Sequence, residues 1–348
     1  MIEFKSISTY STILNPLKGF EEQKIEVETR YDPLLGERCD LCLYRAFLQF
    51  EKPDLNPIIE RSMGMPCPFC PDLIEKVTPK FIPSLFPEGR IKKGEAWLIP
   101  NLLPGTIHNP LVVVSSDHFV GINEFHPEML NNAISLPQSY IRRVEEVEGE
   151  VKHWSLCWNY MPTAGGSQLH PHIQVIGQNN PTPMEEKVIN ASRDYNERYG
   201  GVYFKDLVKK EKEVGLRYLG DTGDVSWIVN FVSRSWLFEI IAVFNKTGTL
   251  KEFSPKEFND FSEGLVKVLD YCDSKNLYSF NMVLYSCNEQ TRDYLPTYAR
   301  FIPRFLYSPL QASDAAAGSF LHDWSVTFIL PEDVCKEMKP FFEKSSGL

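Results

Sequence analysis

The sequence predicts an α+β protein built from two similar repeats, each a mainly antiparallel sheet with a helix packed on it, fused into one pseudo-duplicated body. Three observations carry this expectation. The order strand, strand, helix, strand, strand occurs twice, and the two helix starts, Pro127 and Pro255, stand 128 residues apart. The strand segments are short apolar runs bounded by Gly, Pro and polar turn residues. The chain has 348 residues, 43% of them hydrophobic and 13% aromatic, which suffices for a large core and argues against disorder. The boundary falls between residues 1–178 and 179–348. Chance similarity of two α+β segments is the competing explanation.

Taken in order, Arg30-Tyr31-Asp32-Pro33-Leu34-Leu35-Gly36-Glu37 reads as a turn, with Asp-Pro opening it and Gly36 allowing the reversal. Two Cys-x-x-Cys pairs follow, Cys39/Cys42 and Cys67/Cys70, the second inside the proline-stiffened Pro66-Cys67-Pro68-Phe69-Cys70-Pro71. Their separation is near that of a four-cysteine zinc site. Trp97–Asn101 and Leu111–Val114 read as neighbouring strands, followed by Ser115-Ser116-Asp117-His118. One helix is expected from Pro127 through the charged stretch Arg142–Glu150. His153–Tyr160 and His172–Gly177 then form a hairpin around a polar loop. In the second copy, Trp227–Asn230 echoes Trp97–Asn101, and Phe238–Phe244 is the next strand. Ser254-Pro255-Lys256-Glu257 is a capping-box start, with Phe253 and Phe258 placed as a hydrophobic staple. That helix runs to about Lys275, and Phe280–Tyr285 and Tyr298–Leu306 close the unit.

The residues that point to chemistry are Gly165-Gly166-Ser167-Gln168-Leu169-His170-Pro171-His172-Ile173-Gln174. In an extended segment residues two apart share a face, so His170, His172 and Gln174 project together. Glycines upstream let the backbone approach an anion closely. Histidine can attack phosphorus covalently at neutral pH. The run reads as a phosphate cradle with a histidine nucleophile, against the alternative of a structural His-x-His pair. The net charge of −10 excludes a general nucleic-acid binder but leaves small anionic ligands open. Met1–Lys24 lacks a signal-peptide core and no stretch of eighteen apolar residues occurs, so a cytoplasmic protein with no membrane partner is expected. Eight cysteines in that setting read as thiols or metal ligands.

The pattern Asn159…Gly166-Ser167-x-x-His170-Pro171-His172-x-Gln174 resembles the galactose-1-phosphate uridylyltransferase-like branch of the histidine-triad superfamily. So do Cys67-Pro68-Phe69-Cys70, Ser116-Asp117-His118 and Arg30…Asp32-Pro33-Leu34…Gly36-Glu37, over most of residues 25–310. The resemblance implies two histidine-triad repeats, the second having lost its histidines, since an offset of 128 sets Tyr298 and Arg300 where His170 and His172 stand. It implies zinc held by Cys67, Cys70, His118 and His170 in a structural role. It further implies that His172 attacks the α-phosphorus of a nucleoside diphosphate sugar, releasing sugar 1-phosphate. A sugar 1-phosphate then takes the nucleotide from the histidine in a ping-pong cycle. A phosphorylase, with phosphate as acceptor on a nucleotide sugar or dinucleoside polyphosphate, is the nearest alternative.

By the same resemblance a backbone carbonyl, expected from His170, fixes the His172 tautomer, and Gln174 donates to the phosphate. Gly165, Gly166 and Ser167 hold that phosphate through amides and hydroxyl. Asn159, Asn101 and Arg30 match nucleotide contacts, with an ordinary loop residue as the alternative, weaker for Asn159 than for the other two. Homodimerisation is implied as well. Several positions depart from the family. Asn101-Leu102-Leu103 replaces Asn-Asp-Phe, Tyr298 and Arg300 argue against a second metal despite Glu185 and Glu186, and Ala317–Trp324 replaces the sugar-binding segment. Cys39 and Cys42 fit buried thiols, a second zinc pair, or a four-cysteine site with Cys67 and Cys70. The last belongs to a different reading, a non-catalytic zinc ribbon or nucleotide-binding module.

Overall fold

A computed structural model describes residues 2–43, 52–246, 248–307 and 312–343. The chain opens with a long ribbon, β1 (Lys5–Asn15) and β2 (Glu21–Tyr31), followed by β3 (Arg38–Leu41), α1 (Asn56–Met63) and the short α2 (Ile74–Val77). The first repeat comprises β4 (Ile91–Lys93), β5 (Ala96–Ile99), β6 (Leu111–Val113), α3 (Pro127–Ser135), α4 (Pro137–Glu148), β7 (His153–Tyr160) and β8 (His172–Gln178). Two helices, α5 (Pro183–Tyr199) and α6 (Tyr203–Val214), lead to the second. That repeat holds β9 (Tyr218–Thr222), β10 (Val225–Val229), β11 (Ile240–Phe244), α7 (Pro255–Ser274), β12 (Ser279–Tyr285) and β13 (Tyr298–Arg304). The carboxyl-terminal part adds β14 (Leu306–Tyr307), β15 (Ala312–Ser313), α8 (Ala317–Leu321), β16 (Ser325–Thr327) and α9 (Pro331–Glu343).

Both repeats share one sheet, ordered β4-β5-β6-β8-β7-β12-β13-β11-β10-β9, whose halves mirror each other about the β7–β12 pair. The ladders show the duplication. His172 faces Val113 across β8–β6, and Arg300 faces Ile241 across β13–β11, both members displaced by the same 128 residues. Trp227 is not the equivalent of Trp97, however. Trp97 pairs with Val113 and Ile228 pairs with Ile241, so Ile228 takes the place of Trp97 and Trp227 points to the other face.

One face of this sheet carries the main core, where α3, α4 and α7 pack on Trp158, Trp227, Phe244 and Phe280. The single helix expected after Pro127 is two. Pro137 lacks the N–H needed to continue the ladder, so α3 ends and α4 begins around Leu136–Pro137. Helix α7 starts as its sequence predicts: the Ser254 N–H donates to the Glu257 carboxylate (2.8 Å), and Phe253 packs on Phe258 at 5.5 Å between ring centres.

The opposite face is covered in two separate places. The Cys67–Cys70 knuckle and α2 pack over β5 and β6 through Phe69, Ile74, Ile99 and Val113. Helices α5 and α6 cover β10, β11 and β13 through Val188, Phe204, Leu207, Ile228, Ile241 and Tyr298. Between the two covers lies the strip of β8, β7 and β12 that carries His172, Gln174, Asn159 and Asn281, all half-buried. Strands β1, β2 and β3 form a second sheet, in which β3 runs parallel to β16. No helix among the described residues is long and apolar enough to cross a membrane.

Candidate active site

The site is assembled from the knuckle, the turn after β6 and the hairpin β7–β8. Cys67, Cys70, His118 and His170 each offer one donor atom, and the four atoms lie within 4.8 Å of one another. The Nδ1 atom of His170 is 3.7 Å from Cys67 Sγ and 3.8 Å from Cys70 Sγ, while His118 Nδ1 is 3.3 Å from Cys70 Sγ. A tetrahedral zinc with ordinary Zn–S and Zn–N bonds has S···N edges of about 3.6 Å, so the donor set fits that ion.

The outer nitrogens support the same assignment. His170 Nε2–H donates to the Ser115 carbonyl (2.8 Å), which leaves Nδ1 bare toward the thiols. His118 Nε2 lies 2.8 Å from Ser62 Oγ. Such partners fix ring orientation and tautomer around a metal. Burial holds the His170 pKa down to about 4, so the ring presents a lone pair rather than a charge. Burial and the neighbouring Cys67 thiol push Cys70 up to about 12, which disfavours thiolate unless a cation is bound.

Cys39 and Cys42 stand elsewhere. Both are buried free thiols, and Cys39 packs with Phe231 and Val232 beside Phe4. The metal-ligand group among the described residues excludes them, so the four-cysteine site is not what the fold builds.

His172 begins β8, two residues beyond His170. Its Nδ1–H donates to the His170 carbonyl (3.0 Å), since a carbonyl can only accept. Nε2 is then the bare nitrogen, and no hydrogen bond to it occurs among the described residues. Phe69 of the knuckle packs on this ring, with centres 5.3 Å apart, and meets the His170 ring edge-on at 6.0 Å. Burial lowers the His172 pKa, with the carbonyl contact acting in the opposite sense.

Gln174 lies two residues along the same face, opposite Cys157 of β7. Continuing that ladder by two residues brings Asn159 beside His172. Asn159 Oδ1 accepts from Asn281 Nδ2 (2.7 Å), across the seam between the repeats.

The turn before His170 is tight. Gly165 has φ +88°, and a Cβ on Gly166 would lie 2.7 Å from the Asn159 carbonyl oxygen. Its first two amides are committed inside the loop: Gly165 N–H donates to the Pro162 carbonyl (2.9 Å) and Gly166 N–H to the Met161 carbonyl (3.1 Å). Neither glycine amide is therefore free to meet a phosphate in this conformation. Ser167 is exposed, and neither its amide nor its hydroxyl is hydrogen-bonded among the described residues.

Asn101 and Arg30 are held by partners of their own. Asn101 Nδ2 donates to Asn109 Oδ1 (3.0 Å) in the β5–β6 loop, and its own Oδ1 accepts from the Leu103 N–H. Arg30 is buried on β2, paired with Glu28 (2.9 Å) and Glu332 (2.9 Å) over the Phe231 ring. Asn109, the partner of Asn101, in turn donates from Nδ2 to the Val175 carbonyl of β8 (3.0 Å), next to Gln174. Ser62, Asn281 and Arg304 stand in no motif that the sequence offers. Asn281 meets Asn159 and Ala164 through strand register across more than a hundred residues, for which the local sequence holds no signal, and Arg304 reaches the site only through Asn281.

No family model matches the sequence. An uncharacterized protein of Archaeoglobus fulgidus is 28% identical over 334 residues, covering 94% of this chain and 96% of that protein. Among solved structures, an ADP-glucose phosphorylase from Arabidopsis thaliana with bound ADP-glucose superposes with a TM-score of 0.70 at 16% identity, covering 90% of this chain and 98% of that one. A GalT-like protein from the same organism gives 0.68 at 17%, with 90% and 98% covered. A uridylyltransferase gives 0.65 at 19%, with 92% and 99% covered. This chain shares the fold of the ADP-glucose phosphorylase, the GalT-like protein and the uridylyltransferase.

Proposed function

We propose that the chain is a zinc-containing nucleotidyltransferase that passes a nucleoside monophosphate from a nucleoside diphosphate sugar to an acceptor phosphate through His172. The observation that carries this is the His172 ring, whose Nδ1–H is held by the His170 carbonyl, which leaves Nε2 bare on the strand that also carries Gln174, with Asn159 alongside. The Nε2 lone pair forms a bond to the α-phosphorus, and the bond to the leaving sugar 1-phosphate breaks with its electron pair. Attack by a second phosphate oxygen on the phosphorus then restores the ring.

Gln174 is suited to donate to the non-bridging oxygens on which charge accumulates. Ser167 adds a hydroxyl at the mouth of the loop, and Gly166 lets that loop lie close over Asn159. Zinc bound by Cys67, Cys70, His118 and His170 supplies a structural tie that fixes the strand bearing His172.

Sugar 1-phosphate as acceptor makes the protein a transferase of the galactose-1-phosphate uridylyltransferase type. Inorganic phosphate makes it a phosphorylase, a second reading supported by the fold shared with the ADP-glucose phosphorylase. A homodimer belongs to the same proposal. The test is intact-mass measurement after mixing with UDP-glucose, UDP-galactose, ADP-glucose or GDP-mannose. One donor is expected to leave a nucleotidyl adduct that His172→Ala lacks. A chase with glucose 1-phosphate or with phosphate then identifies the acceptor. Absence of an adduct with every donor would overturn the covalent mechanism.

A further inference from the structure

The second repeat has no histidine pair, yet it reaches into the site of the first. Directly opposite Asn159, Asn281 donates from Nδ2 both to Asn159 Oδ1 (2.7 Å) and to the Ala164 carbonyl (2.8 Å), just before the glycine turn. Asn281 Oδ1 in turn accepts from Arg304 Nη1 (2.8 Å). Arg304 is clamped by Asp314, with Nε 2.8 Å from Oδ2 and Nη2 2.7 Å from Oδ1. Two further contacts tie the same loop to β12 and the residue before it. Ser279 Oγ donates to the Tyr160 carbonyl (3.0 Å), and Thr163 Oγ1 lies 3.0 Å from Tyr278 Oη.

A guanidinium can only donate. Whatever atom of Asn281 faces Arg304 must therefore be its oxygen, and the NH2 group must face Asn159. Since that NH2 can only donate, Asn159 must turn its own oxygen toward Asn281. The orientation of both amides follows from one cation, and the Asn159 Nδ2 donors are left for the strip beside His172, with no other hydrogen bond among the described residues.

We infer that Arg304 and Asn281 are positioning residues of the nucleotide site. They hold Asn159 with its NH2 aimed at an oxygen of the bound nucleotide. This inference rests on the reaction proposed at His172. It gives the second repeat a task at the site of the first, as the element that decides whether Asn159 offers a donor or an acceptor to an anionic ligand.

Asn281→Asp separates the possibilities. The aspartate keeps its contact with Arg304 but turns an acceptor toward Asn159, which must rotate its amide and present oxygen to the ligand. Affinity for UMP or AMP, measured by titration calorimetry on the full chain, is expected to fall at least tenfold, with the melting temperature moved by only a few degrees. Asn159→Ala should cost a similar factor, and the double variant should bind no more weakly than Asn159→Ala alone. If Asn281→Asp weakens the Asn159→Ala protein by the same factor, its added charge is acting at a distance and the relay is overturned. Unchanged affinity in Asn281→Asp overturns it too, while leaving the His172 reaction standing. A wild-type protein that binds neither nucleotide overturns the proposed reaction and this inference together. If Asn281→Asp does not fold, Arg304→Met in the same cycle carries the test, with coupling to Asn159 as the expected result.

Discussion

Zinc held at the proposed four-donor site would be coupled to the folded state, and the size of that coupling follows from the site. The four donors stand in place with their outer nitrogens already held by Ser115 and Ser62, so binding does not wait on local folding. An ion that binds only the native chain stabilises it by about 2.7 kcal/mol at a free concentration 100 times its dissociation constant. With 348 residues, the unfolding entropy is about 0.7 kcal/mol/K. Zinc at that excess should therefore raise the melting temperature by about 4 °C over the chelated protein, and each further tenfold by about 2 °C. Differential scanning fluorimetry across buffered zinc concentrations, with zinc content measured after desalting, provides the assay. His118→Ala should lose both the metal and the shift, whereas the double variant Cys39→Ser/Cys42→Ser should keep both. Zinc retained in stoichiometric amount by His118→Ala, or lost by the double variant, would refute the ligand set.

Gly264 of α7 faces the Trp227 ring, and a Cβ there would lie 2.2 Å from the indole. Glycine to alanine ordinarily strengthens a helix by about 1 kcal/mol. Here it must displace a buried indole whose Nε1 donates to Thr222 Oγ1 (2.8 Å), so Gly264→Ala should destabilise by about 1–3 kcal/mol in urea titration. A gain in stability would refute this packing. Glu211, 1% exposed and paired with Arg217, is pushed up to about 7 by burial, with Arg217 pulling the other way. A folded pKa above the unfolded one contributes stability that is present below about pH 4.5 and lost as pH rises through 7. Wild type should therefore lose about 3 kcal/mol relative to Glu211→Gln between pH 4.5 and 8, measured as the difference between their denaturation free energies. A difference that moves the opposite way refutes the sign.

The elements most legible in the sequence are those whose signals are local. His153–Tyr160 forms β7 as read, His172–Gly177 forms most of β8, and the capping box and staple begin α7 where they should. The convergence of Cys67, Cys70, His118 and His170 is legible because residue type limits metal chemistry to few partners. Pro137 was the local signal passed over at the α3–α4 break. Trp97 and Trp227 look alike in sequence, yet a one-residue difference in register puts them on opposite faces. The glycine amides were read as a cradle, but loop closure takes both of them first. Asn281 and Arg304 could not be found this way, because their role depends on how β12 pairs with β7.

The two halves of the duplication differ in what covers them: the knuckle lies over β5 and β6 of the first, and α5 and α6 over β10, β11 and β13 of the second. At the place equivalent to His172, Arg300 is ion-paired with Glu239, which is fully buried, beneath the cover of α5 and α6. A buried pair of this kind stabilises little by its presence, but removing one member leaves an unpaired charge at a cost of about 3–5 kcal/mol. Restoring histidine at 300 would strand Glu239 without opening the face, so a single reversal cannot rebuild a second site. On the first half the knuckle covers only β5 and β6, stopping at the Phe69 ring against His172. The uncovered strip then ends at Asn281, where the second half begins. A sheet closed on one side and open on the other can devote its closed half to rigidity. The Arg304–Asn281–Asn159 chain is where that rigidity meets the open half.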